Sequence, residues 1–299
     1  MKLVSIVIRT LNEAKYLPEL LEAIKNQVKE SFDIEVVVVD SGSSDLTIKI
    51  AEEFGCRITT ISKKLFTFGR SLNVGSEFAR GDILVYVSGH CIPTNEEWLK
   101  NLINPLILGK AGYAYGRQIG RETTKFSEKK IFEKYYPEKS KIPQNGFFCN
   151  NANSAIDRKI WSEFKFNEEI TGLEDMELAK RYFQKKGKIA YISNACVFHI
   201  HNESWRQTLR RYEREAIALK EIIPEINIRF ADMLRYIFIS IMDDIKDSMK
   251  HKSLNKNLFE IFKFRIAQYI GSYKGNHKNS RLSERQKENY FYPSKKIED

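Results

Sequence analysis

The sequence has no long apolar segment. None of its 299 residues belongs to a run that approaches the roughly 18 apolar residues needed by a membrane-spanning helix. The first apolar stretch, residues 3–8, is short and is followed by Arg9, so it indicates a first β-strand and not a signal peptide. Charged residues make up 29% of the chain, a share typical of soluble proteins, and we expect a cytoplasmic protein.

Cysteine is also scarce. Cys56, Cys91, Cys149 and Cys196 lie far apart, with no CxxC pair among them, and this spacing indicates reduced thiols. The sequence contains no internal repeat and no low-complexity tract. Its length and its 42% of hydrophobic residues suit one α/β domain of roughly 200–250 residues with an appendage.

Acidic residues become rare towards the end of the chain. Residues 250–299 hold 12 Lys and Arg against 5 Asp and Glu, a net charge of +7, whereas the first 249 residues carry +3. A basic region of this kind binds anionic surfaces, and we expect it to meet membrane lipid. A solvated chain end is the alternative. Nucleic-acid binding would rest on this charge alone, so we predict none.

The first 110 residues alternate between strand and helix patterns. Strands are predicted at 3–9, 34–40, 57–61 and 83–88, and helices from Leu17, from Ser44 as an N-cap to Phe54, and over 70–79. Such alternation predicts a parallel sheet with helical crossovers. Ligands of these sheets bind beyond the carboxyl ends of the strands. Those ends carry Arg9-Thr10, Asp40-Ser41 and Ser88-Gly89-His90.

The second half is less regular. Strands are expected near 111–118, 148–155, 188–192 and 195–200, and a helix from about Glu174 to Lys186. Beyond Ser204 the pattern becomes helical. One apolar stripe in this region consists of Leu258, Ile261, Phe262, Ile266, Tyr269 and Ile270. The stripe either packs on the core or lies in a membrane interface.

Polar side chains follow the first two predicted strands. Asp40 ends a buried run, where a carboxylate is costly unless it serves a polar partner such as a base or a ribose. Residues 41–44 form a tight turn whose N–H groups suit an anion, or simply a turn capped by Ser and Asp. The polar residues Thr10, Asn12 and Glu13 after the first strand favour a ligand site.

Further polar groups come in pairs. Arg70 and Asn73 lie three residues apart and share a helix face, where a guanidinium can clamp a phosphate or stack on a base. A surface arginine beside an asparagine at a helix start is the alternative. Asn151 and Asn153 share a face of a predicted strand, and their amides suit sugar hydroxyls or the fixing of a loop.

Acids and histidines complete the candidate residues. Glu174 and Asp175 stand at a predicted helix start, where a carboxylate can take the proton of an attacking hydroxyl. Ordinary N-terminal helix charge is the alternative. His199 and His201 are two apart on a predicted strand and so can face one side. Trp205 follows them and can stack on a sugar.

In their order these segments resemble family 2 glycosyltransferases with the GT-A fold, especially the rhamnosyltransferase-like enzymes of bacterial O-antigen and capsule synthesis. The matching stretches are 5–13, 36–45, 68–75, 80–98, 150–156, 172–179 and 197–199. The resemblance covers about residues 1–205. It implies an α/β fold with a Rossmann-like mixed sheet flanked by helices. It also implies transfer of a sugar from a nucleoside diphosphate sugar, with inversion.

The resemblance assigns roles to the polar residues. It implies that Thr10, Glu13, Asp40 and Arg70 hold the nucleoside. We predict that the rest of the donor site consists of Asn12, Ser41, Asn73, Ser88, Gly89, Asn151 and Asn153. Asp175 matches the family's catalytic base, with Glu174 beside it. Trp205 and His201 are expected at the acceptor.

The chain departs from the family at the metal motif. The family's fourth strand ends in a D-x-D-like motif that holds Mn²⁺ or Mg²⁺, whereas the matching residues here are Ser88-Gly89-His90. Imidazole is a workable ligand for Mn²⁺ and a poor one for Mg²⁺. We therefore expect His90 and His199 to bind Mn²⁺ on the diphosphate. The alternative is that His90 hydrogen-bonds phosphate and no metal is needed.

We predict a catalytic domain over 1–205 and a helical, basic region over 206–299 that associates with membrane or acceptor. The expected function is transfer of a hexose or deoxyhexose to a glycan or lipid-linked acceptor in surface polysaccharide synthesis, at the inner face of the cell membrane. A silent sugar-binding pseudoenzyme is the alternative, because the metal motif lacks its acids. A nucleotidyltransferase ranks last, because no Gly-rich basic loop follows the first strand.

Overall fold

The structure is a computed structural model that describes residues 2–29 and 32–278. The described residues pack as two compact units. The first unit holds the described part of 1–121 together with 132–169 and 174–200, and the second holds 122–131, 170–173 and the described residues from 201 onward. The predicted catalytic boundary at residue 205 stays a prediction.

A mixed sheet forms the centre of the first unit. Its strands are β1 (Lys2–Thr10), β2 (Phe32–Asp40), β3 (Arg57–Thr60), β4 (Ile83–Ser88), β5 (Cys91–Pro93), β6 (Tyr113–Ile119), β7 (Asn153–Asp157) and β8 (Ile189–His199). Within the described residues these eight strands follow the order β3-β2-β1-β4-β7-β6-β8-β5. The first four strands along the chain are mutually parallel, as predicted. β7 runs antiparallel to β4 and β6, which confirms a mixed sheet.

Helices follow most strands. They are α1 (Leu17–Lys25), α2 (Thr47–Glu53), α3 (Phe68–Phe78), α4 (Trp98–Ile107), α5 (Phe126–Tyr135), α6 (Arg158–Phe164), α7 (Glu174–Gln184), α8 (Trp205–Ile222), α9 (Phe230–Lys250) and α10 (Leu254–Asn276). α1 forms where Leu17, Leu20, Leu21 and Ile24 recur on one face, and all four are buried. α3 begins at a true cap, because the Thr67 hydroxyl accepts the N–H of Arg70 at 3.1 Å.

The sheet is buried on both faces, which explains its continuous apolar strands. Along β1, Ile6 and Ile8 belong to a core cluster with Leu20 of α1 and Trp98 of α4. Val7, between them, belongs to the opposite cluster with Leu72 of α3. Full burial of each such side chain stabilises the fold by roughly 1.5–3 kcal/mol. The carboxyl ends of β1, β2 and β4 are thereby held at one edge.

Three sequence predictions about elements are wrong. Ser44 is not an N-cap, because α2 starts at Thr47 and the Ser44 N–H bonds the loop after β1. The two strands expected over 188–200 form one strand, β8. The strand expected from residue 148 begins only at Asn153.

The second unit contains α8, α9 and α10, so the helical C-terminal region is confirmed. α10 lies against α8 through small residues: a Cβ atom added at Gly271 would lie 2.4 Å from the Leu209 carbonyl oxygen. The stripe predicted on α10 divides between two faces, since Ile261 is buried while Phe262 and Ile266 are exposed. Among the described residues, no helix combines the length and apolar character that crossing a membrane requires.

Candidate functional site

Asp40 is the last residue of β2 and lies opposite Thr10, the last residue of β1. The Thr10 hydroxyl donates to Asp40 Oδ1 at 3.1 Å. The backbone N–H groups of Gly42 and Ser43 donate to Asp40 Oδ2 at 2.8 and 2.9 Å. Gly42 has φ +95°, which favours glycine. Asp40 therefore closes its own turn, and Ser41 ties this turn to β1 by donating to the Thr10 carbonyl oxygen.

The loop after β1 is joined to the same turn. The Asn12 N–H donates to the Ser43 hydroxyl at 2.8 Å, and Asn12 Oδ1 accepts the Ser44 N–H at 2.8 Å. The Glu13 N–H donates to the Thr47 hydroxyl at 2.8 Å. The two loops thus form one hydrogen-bonded platform beside the sheet edge. Only the backbone N–H of Glu13 takes part in this bond, and its carboxylate contacts a different residue of the first unit.

That carboxylate meets His90, which follows β4. Glu13 Oε1 lies 2.9 Å from His90 Nδ1. Gly89 makes this approach feasible, because a Cβ atom there would lie 2.8 Å from Glu13 Cγ. The His90 and His199 rings are stacked with centroids 5.3 Å apart. The structure therefore brings together the two histidines predicted to bind metal.

The surroundings of this histidine pair fit a divalent cation. His199 Nδ1 lies 2.6 Å from Gln118 Oε1, and His90 Nδ1 lies 2.9 Å from Glu13 Oε1. A ring that donates from Nδ1 carries its lone pair on Nε2, and such outer acceptors are the usual partners of metal-bound histidines. Ligating nitrogens of the two residues lie within 4.8 Å of one another. Imidazole donors suit Mn²⁺ better than Mg²⁺.

The two acids at the start of α7 are buried. Asp175 Oδ2 accepts the Asn151 N–H at 2.8 Å, and Glu174 pairs with Arg9 at 3.3 Å. Burial, and then the neighbouring charge of Glu174, raises the pKa of Asp175 to about 7. A carboxylate with this pKa can accept a proton near neutral pH, which is what a general base must do.

Arg9 is a site residue to which sequence reasoning gave no role. Its guanidinium donates to Glu174 and to the Phe68 carbonyl oxygen, each at 3.3 Å, and lies 5.0 Å from the Phe68 ring centroid. It stands beside Thr10, which bonds Asp40. Arg9 therefore connects the platform after β1 and β2 with the acid pair. The sequence feature that could have predicted a role for Arg9 is its position as a cation next to the end of a buried strand.

Asn151 and Asn153 are placed differently from the prediction. They do not share a strand face, because β7 begins only at Asn153. The Asn151 side chain accepts hydrogen bonds from Tyr113 at 2.6 Å and Ser154 at 2.7 Å. The fully buried Asn153 amide accepts from Trp98 Nε1 at 2.9 Å. Both side chains thus fix the structure around β7, as the alternative interpretation held.

Arg70 and Asn73 meet at Glu168, another residue that the sequence did not reveal. Arg70 Nε donates to Glu168 Oε2 at 2.6 Å, and Asn73 Nδ2 donates to Glu168 Oε1 at 2.9 Å. Although partial burial acts to raise it, hydrogen bonds from Asn73 and Arg70 lower the pKa of Glu168. Asn73 is buried, whereas Arg70 remains partly exposed. Arg70 is therefore the one of the pair that solvent reaches.

The predicted acceptor residues belong to the second unit. His201 is not on a strand, because β8 ends at His199, so the prediction of a shared strand face is wrong. His201 Nδ1 lies 2.7 Å from Glu128 Oε1, which also pairs with Arg211 at 2.7 Å. Trp205 begins α8 with its side chain about half exposed. Acceptor roles for His201 and Trp205 stay predictions.

Comparison with known proteins shows the family. Residues 5–164 match glycosyl transferase family 2. Because this match covers more than half of the chain, the chain belongs to glycosyl transferase family 2 and is a glycosyltransferase.

Two curated relatives illustrate the similarity. The O-antigen chain rhamnosyltransferase RfbN of Salmonella typhimurium is 27% identical over 222 residues, which cover 70% of this chain and 70% of that protein. The poly(ribitol-phosphate) beta-N-acetylglucosaminyltransferase TarS of Staphylococcus aureus is 22% identical over 274 residues. That match covers 87% of this chain but only 44% of TarS, so the chain spans less than half of that relative.

Solved structures agree on the fold. The mannosyltransferase PcManGT from Pyrobaculum calidifontis, in complex with GDP-Man and Mn²⁺, has a TM-score of 0.66 at 14% identity. The similarity covers 93% of this chain and 88% of PcManGT. Glucosyl-3-phosphoglycerate synthase from Mycobacterium tuberculosis, with Mn²⁺ and UDP-glucose, has a TM-score of 0.54 at 19% identity, covering 76% of this chain and 81% of that chain. The GT-A fold is thereby confirmed.

Proposed function

We propose that the chain transfers a sugar from a nucleoside diphosphate sugar, with inversion, to a glycan or lipid-linked acceptor of a surface polysaccharide. The observation that carries the proposal is Asp175, a buried acid whose pKa is raised to about 7. It lies in the first turn of α7, in the unit that also holds the Thr10–Asp40 platform and the histidine pair. The rhamnosyl transfer named for RfbN supports a deoxyhexose as the sugar.

Asp175 supplies the base for a direct displacement. Its carboxylate takes the proton of the acceptor hydroxyl as that oxygen bonds to the anomeric carbon. The bond from the anomeric carbon to the diphosphate oxygen breaks in the same step, and the nucleoside diphosphate leaves. Attack from the face opposite the leaving group inverts the anomeric centre. Arg9 holds Glu174 beside the base, so the negative charge of that neighbour is partly compensated.

The leaving diphosphate gains charge in the transition state. His90 and His199 would hold Mn²⁺, which when bound neutralises that charge. Glu13 and Gln118 orient the two rings through their Nδ1 atoms. Complexes of similar folds with Mn²⁺ and a nucleotide sugar support this assignment. The residues of the platform, Thr10, Asn12, Asp40 and Ser41, would receive the nucleoside.

From this proposed acceptor class we infer that the enzyme works at the inner face of the cell membrane. Residues 250–299 carry a net charge of +7, which suits an anionic surface. Part of this basic region, residues 279–299, lies outside the described residues. We keep the proposed domain organisation, with a catalytic domain over 1–205 and a helical region over 206–299 that associates with membrane or acceptor.

A donor screen tests the proposed function. Thermal unfolding of the full chain would be measured with nucleoside diphosphate sugars of each base, with and without Mn²⁺, and the best donor would then be assayed for transfer and hydrolysis. The proposal expects one class of donor to raise the unfolding temperature and to be turned over. Binding without any turnover of the donor would instead favour the pseudoenzyme. Stabilisation by no nucleotide sugar would contradict both.

A further inference from the structure

The helix α9 in the second unit exposes a row of large apolar side chains. Leu234, Phe238 and Met242 are spaced by four residues, and Met249 follows seven residues later, so all four lie on one side of the helix. Each is about half exposed or more, and Phe238 reaches 67%. Single exposed apolar residues are ordinary on a protein surface, whereas a contiguous exposed apolar patch marks an interaction site.

The neighbouring helix α10 carries a second row. Leu258, Phe262 and Ile266 recur at intervals of four residues, with Phe259 beside them at 71% exposure. We name these two rows together, residues 234–249 of α9 and 258–266 of α10, the hairpin surface. It is a property of the second unit alone.

The inner faces of the two helices are occupied by specific contacts. Asp244 of α9 pairs with Arg265 of α10 at 2.7 Å, and both side chains are buried. The Ser240 and Tyr269 hydroxyls lie 2.7 Å apart, and Tyr236 packs on Tyr269. These contacts occupy the sides of α9 and α10 that face each other, and the residues of the two apolar rows remain exposed.

Cations border the hairpin surface. Residues 234–266 contain seven Lys and Arg and four acids. Of the acids, Asp244 pairs with Arg265 and Asp247 with Lys130, Glu260 accepts the Phe126 N–H at 3.0 Å, and Asp243 is exposed. On α10, Lys263 Nζ lies 4.1 Å from the Phe259 ring centroid. The surface is therefore apolar in its rows and positive at its border.

This charge pattern decides between the two occupants that suit an apolar helix face. A second copy of the chain would pair the surface with itself, so its bordering lysines would meet like charges. An anionic lipid surface complements them, since lysine stems lie along apolar groups while their ammonium groups reach lipid headgroups. A helix that is apolar on one side and basic beside it lies in the plane of a membrane interface.

We propose that the hairpin surface is a membrane-docking element that lies in the interface of an anionic bilayer without crossing it. Phe238 and Phe259 enter the acyl boundary, and Lys246 and Lys256 contact headgroups. This docking rests on the membrane location proposed above and names the helices that make the contact, and lipid binding in the absence of any donor tests it separately from glycosyl transfer. In addition to the electrostatic attraction between the basic residues and the lipid, it assigns a defined apolar contact to the hairpin surface.

Vesicle sedimentation of the full chain tests the proposal, without donor or metal. The vesicles are phosphatidylcholine alone or phosphatidylcholine mixed with phosphatidylglycerol. The chain should sediment with the anionic vesicles. Phe238→Gln with Phe259→Gln should weaken that binding about tenfold or more, because two large apolar contacts are lost. Lys246→Gln with Lys256→Gln should weaken binding to anionic vesicles by roughly fivefold for each charge.

Matched variants and a folding measurement keep the outcome clear. Ile107→Gln with Leu108→Gln removes two exposed apolar side chains of the first unit and should bind as wild type does. Thermal unfolding and donor binding should be unchanged in the phenylalanine variant. Failure of the wild type to sediment, or wild-type binding by the phenylalanine variant, would overturn the proposal. A dimer seen by light scattering that this variant dissociates, with no vesicle binding, would assign the surface to a second copy instead.

Discussion

At the scale of single residues, the protonation of Asp175 controls the chemistry. Its pKa is raised to about 7 by burial and by Glu174, so the base is largely protonated below that pH. We predict that the pH profile of kcat/KM for sugar transfer falls as the pH drops below about 7, with the slope of one proton. A rate that stays constant down to the ordinary pKa of an aspartate would contradict this assignment.

The same shift affects stability. Because the folded-state pKa of Asp175 lies above its unfolded value, the group contributes stability at low pH that is lost as the pH rises through about 7. Asp175→Asn does not ionise. We therefore predict that its free energy of unfolding increases relative to that of wild type between pH 4 and about 8, because only wild type loses stability over this range. Denaturant unfolding at several pH values measures this, with the exposed Asp33→Asn as control. A constant difference would contradict the buried charge.

The histidine pair makes a prediction about metal choice. Since His90 and His199 offer nitrogen donors, Mn²⁺ should raise the unfolding temperature by a few degrees at concentrations where Mg²⁺ does not. His90→Ala should remove this shift, whereas His251→Ala, an exposed histidine of the second unit, should keep it. Equal stabilisation by Mg²⁺, or an unchanged Mn²⁺ effect in His90→Ala, would contradict the assignment.

At the scale of elements, the sequence predicted the parallel strands well because buried β-branched runs such as 34–40 have few alternatives. It predicts two strands over 188–200, where the structure has the single strand β8. In the structure Asn194 faces solvent, and a register shift between Gly116 and Gln118 lets the strand continue. The continuity of β8 depends on its pairing with the distant strand β6, and no local sequence pattern predicts that pairing.

The site was predictable only in part for the same reason. Thr10, Asp40 and His90 could be placed because strand ends are local features that share an edge. Their partners could not. Arg9 and Glu174 are 165 residues apart, and His199 and Gln118 are 81 apart. Glu168 likewise joins Arg70 across 98 residues. Such contacts depend on the fold as a whole. The chemistry of single residues therefore predicts candidate site residues but not the distant residues that they contact.

The pairing of α9 and α10 makes a prediction about stability. Arg265→Met leaves Asp244 buried without its cation, which should lower the free energy of unfolding by about 3–5 kcal/mol. Arg229→Met breaks an ion pair with Asp232 at the surface and should change stability little. Chemical unfolding of both variants is the measurement. Equal effects would show that the buried pair does not hold the helices together.

At the scale of the whole molecule, the family match ends at residue 164, yet the polar site extends to Asp175 and His199. The similar folds extend further, since PcManGT covers 93% of this chain. The family match thus gives the reaction class, and the similarity in fold extends into the helical second unit.

The central claim is that Asp175 is the base of the transfer reaction. The most direct measurement compares the initial rate of sugar transfer and the donor affinity of Asp175→Asn with those of wild type and Asp33→Asn. We predict a loss of about 10²–10⁴ in rate for Asp175→Asn. Donor affinity should be unchanged, and Asp33→Asn should act as wild type does. Wild-type transfer by Asp175→Asn would contradict the account.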